Sequence, residues 1–96
     1  MTGAGPHHYY VVVYDIADNR RRYRAVKLLE SYGSRIQESA FECNVSDAVM
    51  EKLKNKLVRV LDKSEDKLRV YRLTSRNTVF TFGDMPVRTY EPFVLI

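Results

Sequence analysis

The run Tyr9-Tyr-Val-Val-Val-Tyr-Asp-Ile16 constrains this chain more than any other part of it. It is β-branched and aromatic, and its polarity does not alternate, which is the pattern of a strand buried on both faces. A chain of 96 residues closes a single hydrophobic core. The run therefore belongs at the centre of that core's one sheet. Asp15 stands one position from its end. A carboxylate is costly to bury without a partner or a metal, so Asp15 is expected at the strand's mouth.

The remaining elements follow in order. Asp18 and Asn19 offer N-cap oxygens, and Ala25, Leu28, Leu29 and Tyr32 share one helix face, so a helix is predicted over 19–32 with Gly33 as its stop. The segment 35–45 alternates around Ile36, Ala40, Phe41 and Cys43. It reads as one bent strand or as two short strands broken near Glu38. Ser46 can cap a second helix with Asp47 in its positive first turn; Val49, Leu53, Leu57 and Val60 line one side, and its end falls near Leu61. The charged segment 62–67 reads as a loop, and 68–73 and 78–82 as strands joined by a polar turn over 75–77. Gly83, Asp84 and Pro86 end that pair, and the apolar terminus Pro92-Phe-Val-Leu-Ile96 needs cover. The expected organisation is a flexible leader over 1–8, a domain over 9–82 and a tail over 83–96.

This order predicts an α+β, ferredoxin-like sandwich, an antiparallel sheet with both helices on one face. Because the central strand is apolar on both faces, the other face is expected to pair with a second copy in a homodimer. The tail would add a strand to the partner's sheet edge.

No apolar run reaches the roughly 18 residues of a spanning helix, and the first residues lack the charged start and hydrophobic stretch of a signal peptide. With Cys43 alone, neither an internal disulfide nor a cysteine zinc cage can form, which suits the cytoplasm. The net charge of +4, from 16 basic and 12 acidic side chains, favours nucleic acid only weakly. Patterning says more: Arg20, Arg21, Arg22, Arg24 and Lys27 form one acid-free stretch, and Lys67, Arg69, Arg72 and Arg76 another.

Magnesium favours carboxylate oxygens and keeps several waters, so one Asp15 makes a poor site, whereas two meeting across a dimer axis make a reasonable one. Asp18 is the additional candidate ligand. The ordinary alternatives are a salt bridge for Asp15 and a helix cap for Asp18. Arginines in the first helix's opening turns can grip phosphate oxygens together with exposed amides, binding backbone rather than reading bases. Tyr9, Tyr10, Tyr14, Tyr23, Tyr32 and Tyr71 are expected to pack rather than stack on bases. His7 and His8 have no third histidine to complete a metal site and are expected to be inert. Any catalysis is then metal-assisted phosphodiester hydrolysis.

Taken together, Tyr14-Asp-Ile-Ala-Asp18, the arginine-rich helix start, Tyr32-Gly33, Gln37-Glu-Ser-Ala-Phe-Glu-Cys43 and Asp66-Lys-Leu-Arg-Val-Tyr-Arg-Leu73 resemble the CRISPR-associated small subunit of the spacer-acquisition complex. That family is often described as CRISPR-associated endoribonucleases or endonucleases. Ala40 stands where many relatives carry Val. The resemblance implies a ferredoxin-like homodimer, Asp15 as the catalytic metal ligand for Mg2+ at the dimer axis, Ser39 and Phe41 beside it, and Arg20, Arg21, Arg22 and Arg24 as nucleic-acid contacts. It also implies the CRISPR spacer integrase as partner, with DNA and RNA as ligands. Two classes stay open: a magnesium-dependent nuclease acting on single-stranded RNA or double-stranded DNA, and a noncatalytic DNA-positioning scaffold. More distant readings are a toxin-type ribonuclease and an RNA-recognition motif, the latter lacking its basic-Gly-aromatic signature strand.

Overall fold

The computed structural model describes residues 5–73. Its central strand is β1 (His7–Asp15), flanked by β3 (Ala40–Ser46) and β4 (Lys67–Leu73), with β2 (Gly33–Gln37) outside β3. Every neighbouring pair is antiparallel, in the order β2-β3-β1-β4. Helices α1 (Asn19–Glu30) and α2 (Asp47–Val60) make the two crossovers. This βαββαβ arrangement is the expected ferredoxin-like sandwich.

The pleat explains why β1 does not alternate. Tyr10, Val12 and Tyr14 point to the helices and pack with Phe41, Cys43, Ala25, Leu29, Met50, Leu53 and Leu57. Val11 points the other way, into a smaller cluster with Ile36, Ala40, Val13 and Leu73. The second face is thus not bare: Val11, Ile36 and Ala40 are already buried in the single chain. Its exposed positions include Tyr71, Asp15, Lys67 and Arg69.

Both caps form as expected. The Asp18 side chain accepts the Arg21 N–H, and the Ser46 hydroxyl accepts the Val49 N–H. Helix α1 ends two residues before its predicted limit, with Ser31 rather than Gly33 as the C-cap. Gly33 serves packing: a Cβ there would meet the Glu42 carbonyl oxygen and lie 2.8 Å from Cys43 Sγ. Residues 35–45 resolve into two strands, because Glu38 and Ser39 form a tight turn that pairs Gln37 with Ala40. β1 begins at His7, two residues before the predicted Tyr9. β3 extends to Ser46 and pairs it with His7, so His7 and His8 enter β1. The predicted strand over 78–82, its turn and the apolar tail lie outside the described residues.

Candidate nucleic-acid interface at the end of β1

At its C-terminal end β1 presents Asp15 opposite Lys67, on the face away from the helices. The Asp15 carboxylate is exposed and takes part in no hydrogen bond or ion pair among the described residues. Beside it opens a cleft of about 290 Å³ lined by Tyr14, Asp15, Ile16, Arg22, Arg35, Glu38 and Ser39.

The β2–β3 turn is stitched to this strand end. The Tyr14 N–H donates to the Ser39 carbonyl at 3.1 Å, and the Tyr14 hydroxyl donates to the Glu38 carbonyl at 3.0 Å. Arg35 Nη2 donates to the same Glu38 carbonyl at 2.9 Å, and its guanidinium lies 5.9 Å from the Phe41 ring centroid. Ser39 therefore belongs to the cleft. Phe41 is fully buried and lies beneath it, in the core.

The four arginines of α1 diverge. Arg22 lines the cleft, donating from Nη2 to the Ile16 carbonyl at 2.8 Å and from Nη1 to Asn19 Oδ1. Arg21 turns away. Its Nε donates to Asp66 Oδ2 at 2.8 Å, and its Nη2 donates to Asp66 Oδ1 at 3.2 Å and Glu65 Oε1 at 3.0 Å. The Asp66 side chain is only 1% exposed and also accepts the N–H groups of Ala17 and Asp62 at 3.0 and 2.8 Å. The Arg21 fork holds the Asp66 carboxyl well below the usual carboxylate range. Arg21 thus ties the 16–18 loop to the segment before β4. The Arg20 and Arg24 side chains are exposed and make no hydrogen bond or ion pair among the described residues, while the Arg20 backbone amide bonds the Asp18 carboxylate. Asp18 Oδ2 receives the Arg21 N–H at 2.9 Å, and that bond lowers its pKa; Asp18 acts as the cap.

At the other end of β1, Asp47 Oδ1 gathers the Tyr10 hydroxyl, His8 Nδ1 at 3.1 Å and Arg72 Nε at 3.3 Å. Arg72 Nη2 also lies 2.9 Å from His8 Nε2, which makes that nitrogen the acceptor and Nδ1–H the donor to Asp47. Burial first, then the Asp47 bond, raises the Tyr10 pKa, and the Tyr10 bond lowers that of Asp47. The histidine His8, expected to be inert, thus joins a polar cluster.

Sequence reasoning missed Arg35, Glu38 and Asp66. The alternation of 35–45 contained the first two, but their convergence on Asp15 depends on the turn folding back to the end of β1.

Among the described residues, no group of three or more His, Cys, Asp or Glu side chains is placed to hold a metal ion. Magnesium is held through one or two protein carboxylates when phosphates and waters complete its shell, and each chain offers one such exposed carboxylate here, Asp15. Arg22 and Arg35 supply positive charge in the same cleft for a phosphate.

A family model described as CRISPR associated protein Cas2 matches residues 8–79. The chain is 40% identical over 77 residues to a Thermus thermophilus protein named CRISPR-associated endonuclease Cas2 2, covering 80% of this chain and 86% of that protein. It is 40% identical over 80 residues to CRISPR-associated endoribonuclease Cas2 3 of Synechocystis, covering 81% and 87%. Among solved structures, Streptococcus pyogenes Cas2 superposes with a TM-score of 0.69 at 32% identity, covering 78% of this chain and 99% of that one. A chain of a partial Cas6-RT-Cas1--Cas2 complex superposes with a TM-score of 0.62 at 28% identity, covering 71% and 75%. With a family model over most of its length and relatives at this identity, the chain belongs to the CRISPR-associated Cas2 family.

Proposed function

We propose that this protein serves CRISPR spacer acquisition as a homodimer that binds nucleic acid, partners the Cas1 integrase and hydrolyses phosphodiester bonds with magnesium at Asp15. One observation carries the catalytic part: an exposed, unengaged carboxylate opens into a cleft that also holds two guanidinium groups. The relatives named as endonuclease and endoribonuclease support phosphodiester chemistry, and the solved complex containing Cas1 and Cas2 supports the integrase partner.

Asp15 would hold the metal; when bound, it supplies an activated water and offsets developing negative charge. Arg22 and Arg35 bind the phosphate and orient it, while the Tyr14 and Ser39 bonds fix the walls of the cleft. Asp15 shares its sheet face with the apolar cluster of Val11, Val13, Ile36 and Ala40, so face-to-face pairing would bring a second Asp15 to complete the donor set. Sedimentation at micromolar concentration should give a dimer; a pure monomer would remove the shared-site reading. Purified protein should cut labelled RNA or double-stranded DNA with magnesium and lose cutting in EDTA and in Asp15→Asn.

A second reading, the noncatalytic DNA-positioning scaffold, is favoured by the lack of a metal cage preformed within the described residues. It predicts that spacer integration survives Asp15→Asn. Family membership leaves the toxin-type and RNA-recognition readings without support.

A further inference from the structure

Helix α2 carries a feature that the cleft does not use. Lys52, Lys56 and Arg59 recur at i, i+4 and i+7, and Lys63 follows in the turn just past the helix end. Like charges at these spacings disfavour a helix, and mixed-sign pairs are the usual remedy. Here the nearby acids are engaged elsewhere: Glu51 pairs with Lys54 at 2.7 Å, Glu65 with Arg21, and Asp62 accepts the Ser64 N–H and hydroxyl at 2.9 and 2.7 Å. Lys52, Arg59 and Lys63 are exposed and enter no ion pair among the described residues. Lys56 is steadied by the Tyr32 hydroxyl at 2.8 Å.

The two helices run in opposite directions between their strands, and Arg21 clamps the start of α1 to the segment that follows α2. Arg20 and Arg24 of α1 therefore lie at the same end of the helical layer as Arg59 and Lys63. Lys52, Lys56 and Arg59 are set about one helical turn apart along α2, and the aromatic beside them, Tyr32, is held by Lys56 through its hydroxyl and with Nζ 5.4 Å from its ring centroid, which takes that ring face from an unstacked base. A rigid duplex backbone fits such a row better than a single strand does.

We infer that the α2 row of Lys52, Lys56, Arg59 and Lys63 is a second phosphate-backbone contact, on the helical face of the domain, for a DNA duplex. This rests on the nucleic-acid reading above and adds a surface separate from the Asp15 cleft. The contact is independent of sequence and acts by releasing counterions.

The test measures anisotropy of a labelled 30-base-pair DNA duplex across a salt series, for wild type, Lys52→Glu/Arg59→Glu/Lys63→Glu and Arg20→Glu/Arg24→Glu. The α2 variant is expected to lose at least about tenfold in affinity at low salt, with a log–log salt slope shallower by about 2 to 3. The corresponding Gln variant, which keeps helix propensity, should show a smaller loss in the same direction and guards against misfolding. If both α2 variants bind like wild type while Arg20→Glu/Arg24→Glu is impaired, the α2 surface is refuted and the nucleic-acid reading stands. If wild type shows no salt-dependent duplex binding, both fall. Equal loss on a single-stranded oligomer of the same length would overturn the assignment to duplex.

Discussion

At its first residues β1 meets a carboxylate that gathers three donors on one oxygen, and at its last it carries one that gathers none among the described residues. Asp47 Oδ1 is met by His8, Tyr10 and Arg72, each of which also packs or pairs within the domain. Asp15 faces an open cleft in which Arg22 and Arg35 present charge. Both clusters combine carboxylate, arginine and tyrosine, so composition does not separate them. What separates them is internal pairing: Asp47 takes its donors from β1 and β4 and secures the start of β1, whereas the Asp15 end leaves capacity for a ligand.

The largest effect should come from emptying the open end of its cations. Arg22→Ala/Arg35→Ala should weaken nucleic-acid binding or turnover by about 100-fold, as charged hydrogen bonds to phosphate are lost. Its thermal midpoint should stay within a few degrees of wild type. A midpoint that collapses would place these arginines with the structural cluster instead.

Tyr10→Phe should do the reverse. Removing the hydroxyl leaves Asp47 short of a donor and should cost about 1–2 kcal/mol of stability by chemical denaturation, with cleavage per folded molecule unchanged. Loss of activity without loss of stability would erase the contrast between the two ends. For scale, Leu53→Ala in the shared core should cost about 2–5 kcal/mol.

The smallest effect is in pH. Asp66 and Asp47 both have carboxyl pKa values below the ordinary 3.8. Groups lowered on folding contribute stability that is present above the ordinary value and is lost as pH falls through the folded value. Acid denaturation should therefore be shallow until pH drops below about 4. The gap between wild type and Asp66→Asn should close there, and a gap constant down to pH 2 would show that Asp66 does not act through its charge.

Much of this was legible in the residues. The unalternating run at 9–16 announced a strand with apolar side chains on both faces, and Asp18 and Ser46 announced the starts of the helices. The exposure of Asp15 followed from its place at a strand end. What stayed hidden depended on distant pairing. Arg21 looked like its neighbours until helix phase turned it toward Asp66, 45 residues away. Arg35 and Glu38 reached the cleft only through the turn that stitches β2 and β3 to Tyr14. His8 became structural because β3 runs long enough to pair with it.

The most direct test compares cleavage of labelled RNA and double-stranded DNA by wild type and Asp15→Asn, in magnesium and in EDTA, beside a thermal melt of each protein. Wild type should cut in a magnesium-dependent way, and the cutting should vanish in Asp15→Asn while the melt is unchanged. Cutting that persists in the variant, or wild type that never cuts, would contradict catalysis at Asp15 and leave the open end of β1 as a binding surface alone.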